Sequence, residues 1–64
     1  MIMSKVENQD SKFLQASDVA NALQVSETTA YRIIKKLNDE LNEQGFITVP
    51  GKISRKYFEE KVYL

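Results

Sequence analysis

The chain has 64 residues, 42% of them hydrophobic, with nine basic side chains against nine acidic ones. That length builds one small domain, too small for the deep, supported pocket that catalysis needs. Histidine and cysteine are absent, which excludes disulfides, zinc sites, thiol nucleophiles and imidazole bases, and no apolar run approaches the ~20 residues of a membrane span.

Residues 1–12 are polar and aperiodic and are expected to form a flexible tail; they carry no signal-peptide apolar region. The folded domain is expected over 13–64, in a cytoplasmic protein. Residues 16–23, ASDVANAL, predict a short helix, because Val19, Ala20 and Leu23 share a face. Ser17 is one possible N-cap; a start one or two residues earlier, capped by Gln15, fits equally. Gln24–Val25 interrupts.

Ser26 is the clearest start signal, with Glu27 placed where the helix dipole favours an anion. Ala30, Ile33, Ile34, Leu37 and Leu41 then recur at helical spacing, which predicts a long helix over 27–44. Gly45 supplies the left-handed residue that ends it. Phe46–Ile47–Thr48–Val49 is a run of β-formers. Pro50–Gly51 is a turn pair and Lys52–Ile53 an extended resumption, so a tight hairpin is expected. Ser54 suits the cap of a last helix over 55–62, with Tyr57, Phe58 and Val62 turned to the core and Glu59–Glu60 to solvent.

The zero net charge conceals an uneven distribution. Residues 1–31 carry Lys5 and Lys12 against Glu7, Asp10, Asp18 and Glu27, a net −2, and residues 32–64 carry the balancing +2. Two basic groups stand out, Arg32–Lys35–Lys36 and Lys52–Arg55–Lys56, separated by Asp39, Glu40 and Glu43. Local basic clusters on a neutral body can form a binding face.

Two helices joined by a three-residue break, the second longer, form a helix-turn-helix. Val19 and Ala20 give the first helix a close crossing, Leu23 and Val25 fill the turn, and Ala30 and Ile33 face back. Phe13–Leu14, DVANAL, VSETTAYRIIKKL and the KISRKYFEE segment together resemble the excisionase and MerR-type small winged-helix proteins of phages and integrative elements. The resemblance spans about residues 13–64, and Val-Ser-x-x-Thr-Ala-Tyr-Arg-Ile-Ile is its most specific piece. Gln15 and Ser54 stand where such proteins often have Ser or Thr and Pro. The implied fold is mainly α with a small β-hairpin: a winged helix-turn-helix. The implied function is sequence-specific binding of double-stranded DNA, as a recombination directionality factor or a small transcriptional regulator of a mobile element.

In that arrangement the start of helix 27–44 enters the major groove, where base edges are distinguishable. Glu27, Thr28, Tyr31, Arg32 and Lys35 are the expected DNA-facing residues, Glu27 as a contact to cytosine, and Thr28 and Thr29 suit phosphate oxygens or a thymine methyl. Arg32 has the fork that matches two acceptors of guanine. Ser26 and the N–H groups behind it suit a phosphate, as do Lys35, Lys36, Lys52 at the wing and Arg55. Each residue also has a plainer reading: the basic groups as a solvated helix face, Lys52 as an exposed turn residue, Tyr31 as partly buried core, Glu27 as a match to the dipole. The expected partners are duplex DNA and, where excision is the role, a recombinase or further copies of the chain on adjacent sites. No metal, cofactor, small-molecule ligand or membrane partner is expected. No effector domain that would sense a ligand is expected. The competing expectation is a protein–protein interaction module built on the same fold, with Leu37 and Leu41 at a dimer seam.

Overall fold

The computed structural model describes residues 12–62. The elements in chain order are β1 (Phe13–Gln15), α1 (Ala16–Leu23), α2 (Glu27–Glu43), β2 (Lys52–Ser54) and α3 (Arg55–Lys61). The expected tail falls, but for Lys12, outside the described residues. So do Tyr63 and Leu64.

Helix α1 follows β1 directly. Its N-cap is Gln15, the earlier of the two starts compatible with the sequence, and the Gln15 N–H donates to Asp18 Oδ2 at 2.9 Å. Asp18 thus ties down one backbone donor and places an anion at the helix N-terminus. Gln24 ends the helix in the left-handed region (φ 58°, ψ 49°), and the Val25 N–H reaches back to the Ala20 carbonyl at 3.0 Å. Glycine is the usual residue in such a position, because a side chain there crowds the backbone.

Helix α2 begins as expected at Ser26, whose Oγ accepts from the Thr29 N–H at 3.1 Å. It ends in a Schellman arrangement. Gly45 has φ 94°, its N–H donates to the Asn42 carbonyl, and the Phe46 N–H donates to the Leu41 carbonyl, each at 3.0 Å. Helix α3 is capped by Ser54, which accepts from the Tyr57 N–H at 3.2 Å.

The core joins the three helices and β2. Ala16, Val19 and Ala20 of α1 meet Ala30, Ile34 and Leu37 of α2, with Ile53 of β2 and Phe58 of α3 closing the cluster. Val19, Ala30 and Ile53 are fully buried. Leu14, Leu23, Val25, Ile33, Leu41, Tyr57 and Val62 pack around the cluster, half-buried.

The expected hairpin does not form. Strand β2 pairs antiparallel with β1, in the register Phe13–Ser54, Leu14–Ile53, Gln15–Lys52. Residues 46–49 are irregular, and Phe46, Ile47 and Val49 are exposed. The cause lies in the turn. The Lys52 N–H donates to the Val49 carbonyl at 3.1 Å, and Gly51 has φ 80°. With Pro50 at the second position, whose ring holds φ near −65°, this is the type II pattern. Type II turns splay the flanking strands, whereas tight hairpins need positive φ at the residue that Pro occupies. The Lys52 carbonyl, the other group that would close a hairpin, accepts instead from Asn38 Nδ2 at 2.9 Å. The wing is therefore a loop, 44–51, resting on α2 and leading into a strand paired elsewhere.

Relieving the left-handed side chain at Gln24 should stabilise the domain. Gln24→Gly is expected to add about 0.5–1 kcal/mol, the steric relief exceeding the glycine entropy cost. In thermal unfolding this is a rise in Tm of several degrees.

Candidate DNA interface

The stripe of α2 opposite Ala30, Ile34 and Leu37 carries Thr28, Arg32, Lys35 and Asp39, all exposed. Four of the expected DNA-facing residues, Thr28, Tyr31, Arg32 and Lys35, thus lie on one continuous side of the helix, and Lys36 flanks Arg32, also exposed. Lys35 Nζ lies 3.3 Å from Asp39 Oδ2, one turn along, with both side chains mostly in water. Such a pair contributes little to stability, so the lysine is easily diverted to a phosphate.

Ser26 and Thr29 behave differently from the others. The Ser26 Oγ accepts from the Thr29 N–H and donates to Thr29 Oγ1, both at 3.1 Å. Their side chains close the helix N-terminus upon itself.

The wing comes to this face along a second stripe of α2, Tyr31, Lys35, Asn38 and Asn42, at i, i+4, i+7 and i+11. A groove lined by these residues and by Thr48, Pro50 and Gly51 runs between helix and loop. Three contacts hold its two sides together. Asn38, buried at 7% exposure, donates from Nδ2 to the Val49 and Lys52 carbonyls at 3.2 and 2.9 Å. Thr48 Oγ1 donates to Asn42 Oδ1 at 3.1 Å. A Cβ added at Gly51 would sit 3.5 Å from Tyr31 Cε1, so the ring lies against the turn while more than half of Tyr31 stays exposed. Tyr31 is thus a bridge between helix and wing, not a core residue.

Lys52 sits beside this bridge. A cleft lined by Gln15, Ser17, Glu27, Tyr31, Pro50, Gly51 and Lys52 brings the starts of α1 and α2 together with the wing turn. The structure thus groups Thr28, Tyr31, Arg32, Lys35 and Lys52 around the N-terminal half of α2. Arg55 lies elsewhere. It opens α3 at the other end of the β1–β2 ladder, about 10 Å away at strand rise. Its N–H donates to the Lys12 carbonyl at 2.8 Å, and Nη1 lies 3.9 Å from Glu59 Oε2.

Asn38 and Asn42 are site residues that the sequence expectation does not contain. Their seven- and eleven-residue spacing from Tyr31 was the available signal. Gln15 and Ser17 were weighed as caps alone and also line the cleft.

Behind the face, α2 and α3 are joined by a polar cluster. Tyr57 donates its hydroxyl hydrogen to Glu40 Oε1 at 2.8 Å, Gln44 Nε2 donates to the same hydroxyl at 3.4 Å, and Lys61 Nζ lies 3.9 Å from Glu40 and 5.5 Å from the ring centre. The bond to Glu40, with desolvation second, raises the Tyr57 pKa above its ordinary value. A phenol held neutral contributes its stabilisation at all pH below that ordinary value, near 10, and loses it as pH rises through the folded value.

A helix-turn-helix whose second helix shows Arg32, Lys35 and Lys36 to solvent, with a wing beside it, narrows the family. Residues 9–59 match the Mga helix-turn-helix domain. The chain belongs to that family. This Mga-type domain is also 41% identical over 49 residues to the ICEBs1 excisionase of Bacillus subtilis (strain 168), an alignment that covers 77% of each chain. The excisionase resemblance read from the sequence is borne out by that relative. No solved structure matches the Mga-type domain. Among the described residues, none of its helices is long and apolar enough to cross a membrane.

The two kinds of polar residue on α2 are separable by stability. Ser26→Ala should cost about 1 kcal/mol through the lost cap, whereas Arg32→Ala should stay within about 0.5 kcal/mol. Urea unfolding of both variants measures the difference.

Proposed function

We propose that this chain is an excisionase-type DNA-binding protein of a mobile element, acting without catalysis by shaping or marking DNA for a recombinase. The observation that carries the reading is the exposed Thr28–Arg32–Lys35 stripe on a helix whose other face is fully packed, with Lys52 on a wing fixed beside it. Its relationship to the ICEBs1 excisionase supports the choice of excision over transcriptional control.

In the mechanism, α2 lies in the major groove with its N-terminal half toward the base edges. Arg32 makes the bidentate contact to guanine that its planar fork fits, and Thr28 meets a thymine methyl or a phosphate. Lys35 and Lys36 neutralise phosphates further along the groove wall. Lys52 reaches the adjacent backbone or minor groove from the wing turn. Ser26 and Thr29 serve chiefly by capping α2 and so fixing where its first turn meets a phosphate. Arg55 contributes where the DNA bends around the far end of the domain. A small reading head of this kind gains affinity by occupying neighbouring sites together. The protein works in the cytoplasm, where its DNA is.

Binding to duplexes from the element's attachment region and to random duplex, across a salt series, tests the reading. Tight, salt-sensitive binding to the attachment region, with a footprint beside the recombination site, is the expected result. A footprint only at a promoter would make the protein a regulator, and no binding at low salt would leave the fold as a protein-interaction module.

Within that assay, Arg32→Ala should lose about 1–3 kcal/mol of specific binding and relax selectivity at one base pair. Lys52→Ala should weaken all sequences alike and reduce the salt slope by about 1. Equal, sequence-independent losses for both would reduce Arg32 to a phosphate contact.

A further inference from the structure

We infer that Asn38 is a positioning residue for DNA recognition, setting where the wing stands relative to the recognition helix; the inference rests on the DNA-binding reading above. Asn38 lies on α2 six residues beyond Arg32 and points away from the exposed stripe. It is buried, and its single amide nitrogen donates to two carbonyls on either side of the wing turn, Val49 and Lys52. A side-chain amide offers two hydrogens, so both are used.

The wing depends on this amide more than a hairpin wing would. A hairpin carries its own ladder and holds its shape from strand to strand. Here 46–49 has no strand partner among the described residues, and the turn keeps one internal bond, from the Lys52 N–H to the Val49 carbonyl. Beyond the turn, β2 is anchored to β1, which fixes Ser54 and Ile53 but only the last rung at Lys52. The other ties between loop and helix are the Thr48–Asn42 bond and the Tyr31–Gly51 contact, each between an exposed residue of α2 and a half-buried one of the loop. Asn38 is the buried tie, and it joins the helix that reads bases to the residue that reaches the backbone. A lysine clamps a phosphate productively only when its stem is held at the distance the groove dictates, and the Lys52 carbonyl is held by α2 itself.

The side chain is also specific in chemistry. Aspartate has the same shape but offers acceptors to two acceptors, and leucine fills the space without bonding either carbonyl.

A double-mutant cycle tests the assignment, with binding to attachment-region duplex read across a salt series. Alone, Lys52→Ala should weaken binding about fivefold near 0.15 M salt, the worth of one neutralised phosphate. Asn38→Ala should give a similar loss and a similar drop in salt slope, with base preference kept. In the Asn38→Ala background, Lys52→Ala should cost less than twofold more, while Arg32→Ala keeps its full effect. If Lys52→Ala costs the same with and without Asn38, Asn38 does not position the wing. If the Arg32 effect also vanishes, Asn38 supports the whole fold and the assignment is wrong. Should Asn38→Ala fail to fold, Asn38→Ser, which keeps a shorter donor, takes its place in the cycle under the same criteria. Wild-type protein that binds no duplex at low salt would refute the DNA reading and this inference with it; wild-type binding with an additive cycle refutes this inference alone.

Discussion

Val19 and Ala30 are both fully buried where α1 crosses the first turns of α2, and the geometry of the molecule follows from that contact. A small residue at position 30 lets the two helix backbones approach closely, and the approach determines how far α2 stands out from the body. Ile34 and Leu37 continue the same stripe and receive Ile53 and Phe58, so the strand and the last helix take their places from the helix that α1 has already oriented. The exposed side of α2 is consequently rigid. Its polar residues extend from a helix held along its length by core contacts, the condition under which a few side chains can match a fixed pattern of groove atoms.

The wing obeys a different logic. Helices α1 and α2 meet through apolar burial, whereas loop and helix meet through hydrogen bonds from Asn38 and Thr48 and one aromatic contact. Burial is insensitive to direction; hydrogen bonds are not. The polar seam therefore locates the loop with an angular definition that a greasy contact of the same size would lack. Asn38 is well suited to the task because it sits at the margin of the core, dry enough that its bonds do not compete with water.

Much of this was legible in the sequence, and the limits of that legibility are physical. Ser26, Gly45 and Ser54 mark element ends through local backbone chemistry, and all three serve as read. The inward positions of α2 follow from period alone. Gln24, where the helical pattern is interrupted, adopts the left-handed conformation that ends α1. The hairpin failed because strand propensity says that a segment suits pairing but not with which partner. Phe13–Gln15, three residues long and with no room for an alternating pattern, gave too little signal to compete with Phe46–Val49. The turn itself held the correction, since Pro at its first inner position is incompatible with the tight hairpin types. In the interface, exposed charges on α2 could be placed by period. Arg55 could not, because its place relative to the exposed face of α2 depends on which strand β2 joins. Asn38 escaped notice because an asparagine on a helix reads as solvent-facing until the loop that covers it is known.

The unpaired run at Phe46–Val49 also governs how molecules behave toward one another. Ile47 is 96% exposed, and β-prone residues displayed in this way form an adhesive edge. A chain with zero net charge has no long-range repulsion to keep such edges apart. The safeguard is the residue that prevents the hairpin. A strand from a neighbouring molecule that begins to pair along 46–49 meets Pro50 next, which has no N–H to offer, and then the left-handed Gly51. Pro50 thus bars intramolecular pairing by its ring geometry and limits intermolecular pairing by its missing hydrogen.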